Sequence, residues 1–177
     1  MPITISGSGT MGTMAQGGIT GSATITAGTA VSASGTSIDF TSIPSWVRRI
    51  TVMFTGVSTS GTSNLLIQLG DSGGIETTGY TSNAGGYGSA AVASTIGLLL
   101  NQQNTAAATW AGMQVITLVS GNTWSSVSTL SNGGTGTTSL QMSAGTKALS
   151  DTLTQVRVTT VNGTDTFDAG TINILYE

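Results

Sequence analysis

The sequence predicts an all-β protein, an antiparallel β-sandwich preceded by a Gly/Ser/Thr-rich arm, and three observations lead there. Gly contributes 26 of the 177 residues, Thr 33 and Ser 23, a composition that favours strands and turns over helices. Short apolar runs recur between turn residues, the spacing of a sandwich or barrel. Charged residues make up 6% of the chain while hydrophobic ones stay at 38%, so disorder driven by charge is not expected. A surface so poor in charge has little electrostatic protection against association, which implies cover by copies of the chain or by partners.

Residues 1–36 form the arm. Gly recurs at 7, 9, 12, 17, 18, 21, 28 and 35, with two strand-like pieces, Ile3-Thr4-Ile5 and Ala23-Thr24-Ile25-Thr26-Ala27. Neither can build a core alone, so the arm is expected to lie against something else. The sandwich then occupies 37–177. Ile50-Thr51-Val52-Met53-Phe54 places Ile, Val and Phe on one face, and Leu65, Ile67 and Leu69 do the same in the next run; both predict half-buried strands. Ser89 to Leu100 is Ala-rich, but Gly97 and the β-branched Val92, Thr95 and Ile96 favour strand or irregular backbone over helix. Met113–Val119 and Trp124–Leu130 flank Ser120-Gly121-Asn122 as a hairpin, with Asn132-Gly133 closing the second strand. Gln155–Val161 ends at Asn162-Gly163, a strong hairpin signal, and Thr171–Tyr176 is the last strand.

Several motifs suggest chemistry that the composition does not support. Gly70-Asp71-Ser72-Gly73-Gly74 matches the string around a chymotrypsin-like serine nucleophile, but the chain has no histidine, and Lys147 is its one lysine. Without an imidazole the Ser hydroxyl has no base of that type; a tight turn, with Asp71 and Ser72 bonding local backbone, needs nothing the chain lacks. Gly7-Ser8-Gly9-Thr10-Met11-Gly12 has the G-x-G-x-x-G spacing of dinucleotide sites, yet no amphipathic helix follows it and the first acidic residue is Asp39. Asp165 and Asp168, or Asp71 and Glu76, are too few oxygens for calcium and are expected to flank turns. With no Cys or His, zinc is excluded, and no cofactor or metal is expected. Asn162-Gly163-Thr164 fits a glycosylation sequon but is better explained by the turn.

Four basic residues, Arg48, Arg49, Lys147 and Arg157, cannot neutralise a run of phosphates, so nucleic acid is a poor partner. The stretch from Ile96 to Leu100 is too short to span a membrane, and the first residues show no secretory pattern. Trp46, Phe54, Trp124 and Phe167 sit in or beside apolar runs and are expected in the core. Tyr80 and Tyr87 differ, because the Gly/Ser/Asn context of Gly79 to Gly88 resembles a recognition loop. They are the candidate receptor-binding residues, for a host glycan or protein. The alternative for that loop is packing against a neighbouring subunit.

Two parts of the chain carry a family resemblance. Ile38-Asp39-Phe40-Thr41-Ser42-Ile43-Pro44-Ser45-Trp46-Val47-Arg48-Arg49-Ile50-Thr51-Val52, continued by Leu66-Ile67-Gln68-Leu69-Gly70-Asp71-Ser72-Gly73-Gly74-Ile75-Glu76-Thr77-Thr78-Gly79-Tyr80, resembles a module of tail-fibre and related virion proteins of tailed bacteriophages. The stretches Leu149–Arg157 and Asn162–Glu177 are similar to that module's C-terminal signature. The likeness spans residues 37–177 and is weakest from Gly85 to Trp110, where such proteins would differ in what they bind. It implies a jelly-roll-like sandwich, a homotrimer, attachment to the particle through the N-terminal arm, contact with other virion proteins of tail or capsid, and a virion location after synthesis in the host cytoplasm. It brings no catalytic motif, so no enzyme is expected. The reading it favours is a tail fibre or receptor-binding appendage. Capsid decoration or a head fibre is the alternative, which the lack of a long shaft favours slightly. A polysaccharide hydrolase is third, since no convincing acid/base pair is present.

Overall fold

A computed structural model of the chain describes residues 25–86, 90–134 and 139–177. Among them there is no helix, and fourteen strands form two antiparallel sheets packed as a sandwich. The strands are β1 (Thr26–Ala27), β2 (Val31–Ser32), β3 (Ser37–Phe40), β4 (Arg49–Thr59), β5 (Leu65–Asp71), β6 (Gly74–Ile75) and β7 (Tyr80–Gly86). They continue with β8 (Val92–Ser94), β9 (Leu98–Leu99), β10 (Ala108–Ser120), β11 (Thr123–Gly134), β12 (Ser139–Ala148), β13 (Gln155–Thr160) and β14 (Phe167–Tyr176). The wide sheet runs β1-β14-β4-β10-β11-β12-β7-β8, with β2 also on β14; the narrow one runs β3-β13-β5-β6, with β9 also on β5.

Alternation decides which side chains meet between the sheets. Ile50, Val52 and Phe54 on β4 and Ile172 and Ile174 on β14 face Ile38, Phe40, Ile67, Leu69, Val156 and Val158 of the narrow sheet in one core. The expectation of half-buried strands holds for β4. It fails for β5, which is buried along its whole length: Leu65, Ile67 and Leu69 join the main core, while Leu66 packs with Ala84, Leu99 and Ile96 in a second cluster. Trp110 is fully buried, whereas Trp46, expected inside, is 48% exposed and leans on the Tyr176 ring at 5.9 Å.

Two turn readings need correction. Gly121-Asn122 closes the β10–β11 hairpin as expected, but Asn132-Gly133 lies within β11, paired with Trp110 and Thr109. Asn162-Gly163 is a turn, with Gly163 at φ 67° donating its N–H to the Thr160 carbonyl. It is not a hairpin, because β13 belongs to the narrow sheet and β14 to the wide one. Asn162 Oδ1 accepts from the Thr164 and Asp165 amides and steers the chain across the end of the sandwich.

The last residues of the arm lie against the sandwich. From Thr26 on, the chain lies along β14: Thr26 opposes Tyr176, Val31 opposes Ile172, and Gly35 bridges Phe167. Small residues allow this approach, since a Cβ at Gly28 would stand 2.5 Å from Ile174 Cγ2. Over residues 26–36, the glycine-bearing stretch read as part of the arm covers a sheet edge. Ile3-Thr4-Ile5 and the glycine motif at residues 7–12 lie outside the described residues.

Candidate functional site

Tyr80, a candidate for receptor contact, is 3% exposed. It opens β7 instead of sitting in a loop, and its hydroxyl accepts from the Leu69 amide at 2.7 Å and donates to the Glu76 carbonyl at 2.8 Å. Burial raises its pKa well above the usual phenol value, so the ring is neutral and structural. This corrects the recognition reading for Tyr80. Tyr87 lies outside the described residues; Gly86, just before it, is paired with Gln141.

The residues that looked catalytic hold one another. Asp71 ends β5, and the turn expected at Ser72-Gly73 joins β5 to β6. Asp71 Oδ1 accepts from the Gly73 amide and Oδ2 from the Ser150 hydroxyl, both at 2.7 Å. The Ser150 hydroxyl and Gly73 amide hold the Asp71 carboxyl below its usual range. Lys147, 4% exposed, places its ammonium 2.5 Å from Glu76 Oε2 and 2.9 Å from the Thr78 carbonyl. Burial pushes Glu76 up, but hydrogen bonds from Lys147 and Ser150 outweigh it and the net shift is downward. The lysine that could have served Ser72 as a base is thus committed to Glu76 and Thr78, in a clamp that ties the β6–β7 connection to the end of β12.

Asp165 and Asp168 do not converge on a shared ion position. Asp165 accepts from Asn162 Nδ2 at 2.7 Å and the Ser63 amide at 2.9 Å, which lower its pKa. Asp168 accepts from the Ser58 hydroxyl. Among the described residues no three acidic side chains come together as a metal site.

A network that sequence reasoning missed surrounds residues 101–104. Asn104 accepts from Trp110 Nε1 at 2.8 Å, and donates to Thr59 Oγ1 at 2.8 Å and the Ser63 carbonyl at 3.0 Å. Asn101 accepts from the Leu65 amide, while Gln102 accepts from the Gly86 amide and donates its own amide to Gln141 Oε1. Asn101-Gln102-Gln103-Asn104 was the available signal: four amides in a row after an apolar run suit a segment that must satisfy backbone groups of its neighbours.

Two surface features remain. A cleft of about 440 Å³ opens at one end of the sandwich, lined by Ser45, Arg48, Gly121, Asn122, Trp124 and Thr152 among others. Arg48 is the one basic residue without a carboxylate partner among the described residues; Arg49 pairs with Glu177, Lys147 with Glu76 and Arg157 with Asp39. The second feature is the outer face of the wide sheet. One transverse row runs Met53, Met113, Thr129, Met142, Gly85, and the next Thr51, Val115, Val127, Ala144, Asn83. Met113, Val127, Leu140 and Met142 are all about half exposed or more. From β10 to β8 no described strand carries a charge except Lys147, which points inward. No family model, no curated protein and no solved structure matches this chain.

Proposed function

We propose that the protein is a structural component of a bacteriophage virion, a tail-fibre or receptor-binding appendage attached through its N-terminal residues and assembled as a homotrimer. The observation that supports a structural role is the commitment of the reactive-looking side chains to the fold: Asp71, Glu76, Lys147 and Ser150 bond one another, and Asp165 bonds its own turn. The phage assignment rests on the resemblance of residues 37–177. Its best-matching stretches cover most of β3 and β5, the whole of β6 and β14, the start of β4 and half of β13.

Mass spectrometry of purified particles, followed by reconstruction of the intact virion, tests the reading. The expected result is copies in multiples of three at the tail. Density on the capsid surface would replace the tail reading by capsid decoration, and absence from the particle would overturn both.

A further inference from the structure

We infer that the outer face of the wide sheet is the surface through which copies of this chain pack against one another. The inference deepens the homo-oligomer part of the proposed function by naming the face.

The sequence makes this face unlike an ordinary solvated one. An antiparallel sheet with one wet side alternates apolar residues inward with polar, commonly charged, residues outward. Here the inward positions of β10, β11 and β12 include Gln114, Ser126, Ser128, Gln141 and Ser143 beside Trp110, Ile116 and Leu130, while the outward positions mix Met113, Val115, Val127, Leu140 and Met142 with uncharged Thr117, Ser125, Thr129 and Ser131. Over β4, β10, β11, β12 and β7 the single outward charge is Arg49, at the strand start and paired with Glu177. Three of the six methionines of the chain share one row. Methionine enriched and Lys and Glu depleted is the composition of an interface centre, and flexible thioether side chains adapt to a facing surface.

The occupant follows from charge and size. A face without charge has no electrostatic complement, so the partner must be equally neutral, and this chain, with 6% charged residues, supplies such a surface in every copy. Five strands about 4.8 Å apart and six residue steps of about 3.4 Å give a patch of roughly 24 by 20 Å. Two such patches bury about 1,000 Å² before side-chain relief is counted, the level a specific interface needs. Sheet-on-sheet packing is also the contact the fold already makes inside each sandwich.

The test uses the full-length protein at micromolar concentration in native mass spectrometry and sedimentation. The wild type is expected to be oligomeric. Val127→Glu and Met142→Glu, each putting a carboxylate on the face, should raise the dissociation constant at least 100-fold, while Val161→Glu, on the β13–β14 turn, should leave assembly unchanged. Circular dichroism checks that each variant folds. Because the chain has no cysteine, Val127→Cys and Met113→Cys give a second measurement independent of introduced charge: oxidation should yield covalent dimers from at least one, and none from Val161→Cys. A monomeric wild type overturns the inference. So does an oligomer that both glutamate variants leave intact with neither cysteine crosslinking. Failure to find the protein in virions would sink the phage reading without touching these results.

Discussion

The two flanks of the sandwich are closed by different physics. On the β4–β14 flank, sheet packs on sheet: Phe54, Ile172 and Ile174 meet Ile38, Val156 and Val158, and the strand ladders serve most of the backbone groups. On the β12–β7 flank the narrow sheet has run out, and residues 95–107, containing only the two-residue β9, cover the gap. A segment with so little ladder of its own brings unpaired N–H and C=O groups into the interior. The inward positions beneath it are accordingly polar: Ser82 Oγ accepts from the Leu99 amide at 2.9 Å, and Gln141 Oε1 from the Gln102 amide at 2.6 Å. The residues that looked misplaced in a core are the partners of a buried loop. Among the described residues just two covered side-chain polar atoms, Gln114 Oε1 and Trp124 Nε1, lack a partner.

The difference predicts two kinds of failure. Phe54→Ala removes packing on the apolar flank and should cost about 3–5 kcal/mol through the cavity it leaves. Read by thermal melting, that is a fall of about 2–4 °C per kcal/mol for a chain of this size. Asn104→Ala should cost about 2–3 kcal/mol, because it orphans the buried Trp110 N–H together with the acceptors Asn104 served. If Asn104→Leu, close in volume, restored most of that loss, packing and not hydrogen bonding would hold residues 95–107 in place. Ser82→Ala deletes one acceptor and leaves the Leu99 amide unpaired, for a loss of about 1–2 kcal/mol in urea unfolding. Hydrogen exchange should locate the change, with faster exchange at Leu99 and Leu98 and none at Ile172.

The smallest effect near neutrality is that of pH. With no histidine or cysteine, no side chain of ordinary pKa titrates between about pH 5 and 8, so stability should be flat across that window. Asp71, Glu76 and Asp165 all have folded pKa values below their unfolded ones. Their contribution is complete above the unfolded value, near pH 4, and is lost as pH falls through the lowered folded values. A urea midpoint constant from pH 8 to 5 and falling below about pH 4 is expected; a rise on acidification would show that these carboxylates repel more than they bind.

The β4–β14 flank was legible in the sequence because its signal is period-two alternation, which sets a strand and its buried face together. Gly121-Asn122 was legible for a similar reason, since a two-residue link dictates its own hairpin. Asn162-Gly163 was misread because a turn type fixes a change of direction and not the sheet that receives the next strand. Tyr80 was placed in a loop because Tyr80, Ser82 and Ala84, the inward residues of β7, give no apolar alternation; their burial comes from the segment packed over them. Leu66 was assigned to a wet face for the same reason, as Leu99 and Ala84 reach it from far along the chain. Residues 26–36 hid their role in the very feature that enables it, side chains small enough to lie flat on β14.

That last contact sets how the domain would carry load. In a chain tethered through its N-terminal residues, force enters at residue 25 and meets the sheet where Thr26 opposes Tyr176. It passes through the Gly28 amide to the Ile174 carbonyl and the Ala33 amide to the Gly170 carbonyl into β14. From there it spreads into β4, to which Glu177 is fastened by bonds with the Arg48 and Arg49 amides. Tension along this line would be resisted by an edge-to-centre series of backbone bonds, and the amide-closed flank does not lie in its path. A pull that stripped β1 and β2 from β14 would leave the β4–β14 ladder in place, so under such a load that edge would yield first.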